Sequence, residues 1–379
     1  MPQKRQKVIV GMSGGVDSSV TALLLKQRSF DVIGVFMKNW SGESLGLSGE
    51  AARKWEQQCP WQKDAEDVRR VCTQLGIPHY TFNFEREYKE GVLDYFFREF
   101  QSGRTPNPDV MCNKEVKFKV FLEKARALGA DFVATGHYAR RVEISDDTAA
   151  AGGKRYEVHI PADTNKDQTY FLYTLTQAQL AHVLFPLADF TKTEVRALAA
   201  KHGLPTAAKP DSQGICFVGE VDIKEFLQTK IPRTPGPITT VEGETVGEHQ
   251  GLAFYTIGQR EGLGVGGTEV PLYVVGKDAG KNVLIVAKGS HHKALYSSAL
   301  EASQVHWIGG AQPSLPLKCQ ARIRYRQELQ SATVKLHVTS GGIIAEFEKP
   351  QRAVTPGQSI VLYDGTQMLG GAVIETAVV

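Results

Sequence analysis

Gly11-Met12-Ser13-Gly14-Gly15-Val16-Asp17-Ser18-Ser19 decides the fold. A β-branched run at residues 7–10 precedes it and a helical apolar pattern at 18–27 follows, so the stretch is read as the turn from a buried strand into a helix. Its glycines let the backbone pass close to a polyanion, and the N–H groups of Ser13 to Ser18, at the positive end of a helix, suit phosphate. The lysine of the G-x-x-x-x-G-K-[ST] loop is missing and the spacing is not G-x-G-x-x-G, so neither the Walker loop nor the dinucleotide fingerprint applies. An aspartate inside an anion loop makes electrostatic sense only beside a cation. Asp17 is therefore expected at a Mg2+ ion held against the pyrophosphate portion of ATP. The competing reading, a bare glycine-rich turn, gives no reason for S-G-G-x-D-S at this place.

The alternation continues downstream. Strands are expected at 31–37, 79–83 and 131–135, and helices at 64–75, 87–101 and 115–128, the first and last of these helices ended by Gly76 and Gly129. That rhythm means a doubly wound α/β domain with a parallel sheet and right-handed crossovers. After about residue 205 glycine and proline become frequent, and strands at 272–275, 283–287, 318–325, 332–338, 343–347 and 359–362 suit an antiparallel, barrel-like region. The expected division is 1–215, 216–295 and 296–379, which agrees with roughly 150 residues per domain for a chain of 379.

Composition excludes several classes. With 42% hydrophobic and 22% charged residues the chain is of ordinary globular type, neither disordered nor fibrous. The apolar run after the basic N-terminus is too short for a signal peptide, and no run is long enough to span a membrane; a cytoplasmic protein is expected. Lys plus Arg number 44 against 41 Asp plus Glu, and a net charge of +3 neither demands nor excludes a nucleic acid.

The 5 cysteines, at 59, 72, 112, 216 and 319, are scattered and include no C-x-x-C pair, which argues against a disulfide scaffold and a zinc ribbon. Two of them sit in marked surroundings. Gly103-Arg104-Thr105-Pro106-Asn107-Pro108-Asp109-Val110-Met111-Cys112-Asn113 is expected as a proline-stiffened loop between helices, with Asp109 as acid, base or metal ligand beside a Cys112 thiolate. Cys216 lies in Asp211-Ser212-Gln213-Gly214-Ile215-Cys216-Phe217, on an expected turn at the domain junction. Two loop thiols together with an ATP loop suggest sulfur transfer, one carrying a persulfide and the other attacking it. In the C-terminal region, strand alternation puts Arg322, Arg324 and Arg326 on one face, suited to phosphates, and Tyr325 on the other.

These segments, with Phe36-Met37-Lys38-Asn39-Trp40, Ala134-Thr135-Gly136-His137-Tyr138, Asn165-Lys166-Asp167-Gln168-Thr169-Tyr170-Phe171-Leu172, Gly214-Ile215-Cys216-Phe217 and Thr256-Ile257-Gly258-Gln259-Arg260, stand in one order along nearly the whole chain. In that order they resemble the tRNA-specific 2-thiouridylases, a branch of the PP-loop ATP pyrophosphatases. The resemblance implies an adenine nucleotide hydrolase-like first domain, a small central domain and a C-terminal β-barrel, the last two holding tRNA. It implies ATP on Gly11, Met12, Ser13, Gly14, Gly15, Val16, Asp17 and Ser18, with Met37 and Gly136 beside the adenosine. Cys112 aligns with the nucleophile and Cys216 with the persulfide carrier. Asn107, Pro108 and Asp109 align with the segment that meets the target base, Asp109 being the acid–base candidate and His137 lying near the substrate. Lys166, Asp167, Gln168, Arg324, Tyr325 and Gln358 align with tRNA contacts.

The implied reaction adenylates the wobble uridine, flipped out of its stack, and replaces its carbon 2 oxygen by sulfur, giving 2-thiouridine, AMP and pyrophosphate. Its implied partners are tRNAs reading Lys, Glu and Gln codons and a persulfide donor protein. An oxygen-sensitive 4Fe-4S cluster held by Asp109, Cys112 and Cys216 is a rival version of the chemistry. A PP-loop ligase forming a C–N bond would leave both cysteines idle, and a non-catalytic tRNA-binding protein would leave the Asp17 loop idle.

Overall fold

The computed structural model describes residues 5–42, 61–145, 153–211, 222–267, 269–339 and 341–378. Cys59 and Cys216 lie outside the described residues. The first strands are β1 (Lys7–Met12), β2 (Asp31–Lys38), β3 (His79–Asn83), β4 (Phe132–Ala134), β5 (Arg140–Ser145), β6 (Lys154–His159) and β7 (Val183–Leu184). All but β5 and β6 form a parallel sheet in the order β3-β2-β1-β4-β7.

Both faces of that sheet are covered, as the β-branched strands require. Successive side chains point to opposite sides. Val8, Val10 and Met12 enter one apolar cluster with residues of helix α1 (Val16–Gln27) and helix α2 (Trp61–Leu75), whereas Ile9, Val35 and Met37 enter another with the helical layer of residues 85–127. The chain runs outward from β1 to β3 and then returns to β4 on the other side of β1, so the switch point lies between β1 and β4. Ligands of such sheets sit outside the carboxyl ends at that point.

The helical layer contains two π-helical segments. Helix α3 (Glu85–Tyr88) passes through Lys89–Leu93 into α4 (Asp94–Gln101), and α5 (Pro108–Met111) passes through Cys112–Val120 into α6 (Phe121–Ala127). The second run corrects the expected loop-then-helix at 103–128. Asn107 is a helix cap whose side chain accepts from Val110 N, and Pro108 occupies the first turn, so the proline pair starts a helix instead of prolonging a loop. Cys112 consequently lies within a helix.

The central part is a four-stranded sheet of β8 (Gly236–Thr240), β9 (Thr245–His249), β10 (Leu272–Asp278) and β11 (Val283–Lys288), ordered β10-β11-β8-β9. The C-terminal part is a closed antiparallel barrel. Its strands are β12 (Tyr296–Trp307), β13 (Leu317–Arg322), β14 (Gln330–Leu336), β15 (Ile343–Arg352), β16 (Ser359–Asp364) and β17 (Gln367–Val378). They run in the order β12-β15-β14-β13-β16-β17, and β17 pairs back onto β12. Closure removes the exposed edge. The β5–β6 hairpin, though part of the N-terminal region, joins the barrel sheet through Gln367 opposite His159 and Met368 opposite Val158.

The expected arginine face at 322–326 is not formed. Strand β13 ends at Arg322, and Arg326 adopts a φ of 62° in the following turn, so alternation stops where the argument needed it. Arg322 is buried and points into the catalytic domain, where its Nη1 donates to Asp167. Thr169 donates to the other Asp167 oxygen from its backbone N at 2.9 Å and from its hydroxyl at 2.7 Å. Removing one member of such a pair leaves an uncompensated buried charge. Arg322→Ala is expected to destabilise the protein by about 3–5 kcal/mol, seen as a lower midpoint in urea unfolding; an unchanged midpoint would contradict the pairing.

Candidate active site

The loop between β1 and α1 is shaped by its small residues. Gly14 has a φ of 76°, and a Cβ there would lie 2.7 Å from the Asp64 carbonyl oxygen, so only glycine fits. Ser18 and Ser19 donate to the Gly15 carbonyl at 3.1 and 2.8 Å, folding the loop onto the first turn of the helix. No side chain caps α1, so its positive end and first N–H groups are open to an anion. A Cβ on Gly136, just beyond β4, would lie 2.9 Å from both Asp17 C and Ser18 N. A Cβ on Gly11 would lie 3.1 Å from Met37 Cε and 3.4 Å from the Phe121 ring. The structure thus brings residues 11–18, Met37 and Gly136 together at the switch point, with the helix that carries Cys112 packed against them.

Asp17 meets a cation, and that cation belongs to the protein. Lys192 Nζ donates to both Asp17 oxygens at 2.7 Å, and Tyr138 OH donates to one of them at 2.8 Å. Lys192 opens the helix Lys192–Lys201, whose Thr191–Glu194 capping box is a sequence-readable start signal. It also lies 2.9 Å from Asp211, which takes Lys166 at 2.6 Å and Arg196 at 2.7 Å. Burial opposes ionisation of Asp211, but Lys166 and Lys192 hold its carboxyl well below the ordinary range. On the other side of the loop Lys209 donates to Gly14 O at 3.0 Å and to Asp64 and Asp67 at 2.7 and 2.6 Å. The lysine missing from the loop motif is therefore supplied from 175 residues away, by a contact that loop spacing does not encode. Among the described residues no group of three or more His, Cys, Asp and Glu side chains could hold a metal ion. The Asp17 carboxylate, one-third exposed, fits a Mg2+ ion carried mainly by nucleotide phosphates rather than a dedicated protein cage.

Cys112 is completely buried at the start of its π-helical segment, and Asp109 stands three residues before it, on the same side of the helical run. Asn113, next to Cys112, donates to the Phe171 carbonyl at 3.1 Å. The other described thiols are different in kind: burial pushes both Cys72 and Cys319 up to about 11. His137 is 8% exposed, packs between the Phe118 and Phe185 rings and lies 2.8 Å from the Thr135 hydroxyl. Burial, aided by Lys117, holds its pKa well below the ordinary histidine value, so it stays neutral at physiological pH.

The residues expected to meet RNA are mostly engaged within the protein. Lys166 pairs with Asp211, Asp167 with Arg322, and Gln168 Oε1 accepts from Tyr138 N at 3.0 Å. Arg324, half-buried, donates to the carbonyls of Arg352 and Ala353, and Tyr325 packs on Phe171 with ring centroids 4.5 Å apart. Gln358 Nε2 donates to the carbonyls of Thr105 and Pro106 at 2.9 and 3.1 Å.

A doubly wound sheet with a glycine phosphate loop at its switch point, followed by two all-β parts, defines a three-part α/β nucleotide-loop protein. The sequence matches the profile described as tRNA methyl transferase HUP domain over residues 6–220, the tRNA methyl transferase PRC-barrel domain over 224–288 and the aminomethyltransferase beta-barrel domain over 297–374. The tRNA-specific 2-thiouridylase MnmA of Shouchella clausii is 52% identical over 369 residues, covering 97% of this chain and 96% of that protein. MnmA 2 of Geobacillus kaustophilus is 51% identical over 97% of this chain and 94% of its own length, and MnmA of Listeria monocytogenes 50% identical over 98% and 95%. The chain belongs to the family of tRNA-specific 2-thiouridylases. Among solved structures, a 4-thiouridine synthetase–RNA complex with bound ATP is 18% identical with a TM-score of 0.32, over 59% of this chain and 50% of that one, a likeness too loose to bear on function.

Two outcomes follow from this geometry. Gly136→Ala forces the Asp17–Ser18 peptide aside and is expected to weaken ATP binding about tenfold or more (roughly 1.4 kcal/mol), measured by equilibrium dialysis; wild-type affinity would contradict the close approach. Iodoacetamide near pH 7 is expected to leave Cys72 and Cys319 unmodified in the native protein, with labelling rising only as the pH approaches 11. Peptide mass mapping reads this, and rapid labelling at neutral pH would contradict the buried, protonated thiols.

Proposed function

We propose that the protein is a tRNA uridine 2-sulfurtransferase, using ATP to activate the carbon 2 oxygen of the wobble uridine and replacing it with sulfur. The observation that supports this most is the contact of Phe121, on the helical run that begins at Pro108 and carries Cys112, with Gly11 of the phosphate-loop motif. The profile descriptions mention methyl transfer, but a methyl donor has no use for an uncapped helix end beside a glycine phosphate loop, and the relatives carry the thiouridylase name.

In the proposed sequence the uridine carbon 2 oxygen attacks the α-phosphorus of ATP and pyrophosphate leaves. The loop amides, Lys192 and Lys209 meet the charge that develops on the departing phosphates, a role for positive groups already in place before the step. Bound Mg2+ would neutralise further phosphate charge beside Asp17. A donor protein loads Cys216 as a persulfide. The Cys112 thiolate then attacks the inner sulfur of that persulfide, forming a Cys112–Cys216 disulfide and releasing hydrosulfide, which adds to carbon 2 as AMP leaves. Alternatively, the terminal sulfur attacks carbon 2 first, AMP leaves, and Cys112 then attacks the inner sulfur, freeing the 2-thiouridine and forming the same disulfide. After either route a thiol reductant cleaves the disulfide and restores both thiols. Asp109 serves as acid–base group at the base, and neutral His137 as a hydrogen-bonding neighbour of the substrate. Of the three residues a 4Fe-4S cluster would need, Cys216 lies outside the described residues. The proposed substrates are the tRNAs that read Lys, Glu and Gln codons, in the cytoplasm.

Unmodified tRNA incubated anaerobically with Mg-ATP and a persulfide donor is expected to yield 2-thiouridine by nucleoside mass analysis, with one AMP per sulfur. Cys112→Ala and Cys216→Ala are each expected to abolish this product. A nucleoside heavier by a methylene, or full turnover in either variant, would overturn the reading.

A further inference from the structure

Cys112 is flanked on both sides by backbone held from the C-terminal barrel. On its N-terminal side, residues 103–106 are bonded to two other parts of the molecule. Thr105 N donates to Pro356 O at 2.9 Å, and Gln358 Nε2 donates to the Thr105 and Pro106 carbonyls. Gly357, with a φ of 91°, lies so close that a Cβ would stand 2.9 Å from Thr105 O and 3.0 Å from Thr105 N. Arg104, just beyond the end of α4, bridges Glu99 of that helix at 2.8 Å to Glu375 and the Ile374 carbonyl on β17. The central domain adds Lys277, donating to Gly103 O at 2.8 Å, and Thr256, whose hydroxyl lies 3.1 Å from that of Thr105. Immediately after Pro106 comes Asn107, the cap that starts the helix of Asp109 and Cys112.

On the C-terminal side, Asn113 is tied to the Phe171 carbonyl, and the Phe171 ring packs on Tyr325 of the barrel. The turn at 353–358 that grips residues 105–106 is itself held by Arg324, through the Arg352 and Ala353 carbonyls. Thus Arg324 and Tyr325, neighbours in sequence, support the two flanks of the nucleophile helix by separate routes.

We propose that Gln358 and Glu375 are positioning residues for the thiolation reaction: from the barrel they fix the backbone of 103–106 and thereby the cap and first turn that aim Asp109 and Cys112. The proposal rests on the thiouridylase reading and adds to it. Gln358, which family resemblance assigns to RNA, acts here through the protein backbone, and the barrel is part of the catalytic apparatus as well as a docking surface. Two backbone carbonyls facing one amide group need a donor, so an isosteric side chain without N–H groups releases them. Small displacements of a nucleophile cost rate far more than they cost binding.

Gln358→Leu and Glu375→Gln distinguish this from direct RNA contact. Single-turnover thiolation at saturating tRNA is expected to fall by about tenfold or more in Gln358→Leu and by less in Glu375→Gln, while tRNA affinity from filter binding stays within about twofold of wild type. Hydrogen–deuterium exchange without tRNA is expected to speed up at the Thr105 and Val110 amides in both variants. Unchanged saturating rates with weakened tRNA binding would overturn the proposal, as would unchanged exchange. The wild-type enzyme runs alongside. If it makes no 2-thiouridine, the functional reading fails and the exchange measurement alone judges the clamp.

Discussion

A helix whose first turn no side chain caps must find another partner for its N–H groups, and in this chain that helix is α1. Its uncapped end sits at the switch point of the parallel sheet, where the backbone of the β1–α1 turn is approached closely by Asp64 and Gly136, and Gly11 at the end of β1 by Met37. Each close approach depends on a glycine at a fixed place. Two lysines from remote segments converge on this turn. Positive charge fixed in advance is what the proposed departure of pyrophosphate calls for. It also costs stability: Lys192 is mostly buried, and Asp17, Asp211 and the Tyr138 ring beside it offset the cost.

The rest of the molecule is organised around holding a second element, the Cys112 helix, against that turn. Burial of Cys112 and Phe121 in the same apolar cluster as Met37 and Ile9 fixes the helix on the sheet. The barrel fixes its start. The Arg322–Asp167 pair, the Gln358 and Arg104 bonds and the strand pairing of β17 with the β5–β6 hairpin all lie on one junction between catalytic domain and barrel. A junction that rich in oriented polar bonds ties the barrel to the catalytic domain at several points.

Much of this was legible in the sequence, for physical reasons that differ by region. The parallel sheet showed because doubly covered strands are short, β-branched and separated by helical periods, and the phosphate loop because its glycines answer a steric need. The start of the Cys112 helix has no clear local signal: Pro106 and Pro108 suggest a stiffened loop, yet Asn107 and Pro108 make a cap and a first-turn proline when a helix follows. The arginine face failed because alternation holds only as long as the strand, and β13 stops at Arg322. Lys192, Lys209 and Lys277 gave no local signal as site residues, since their bonds to Asp17, Gly14 and Gly103 cross most of the fold. Only the Thr191–Glu194 capping box marked where Lys192 would stand.

The claim on which all of this depends is that the uridine oxygen itself is carried away on phosphate. The direct measurement places isotopically heavy oxygen at carbon 2 of the target uridine, runs one turnover with unlabelled ATP, and weighs the AMP. The account predicts that the heavy oxygen appears in AMP as sulfur appears in the base. Unlabelled AMP alongside a thiolated base would contradict it.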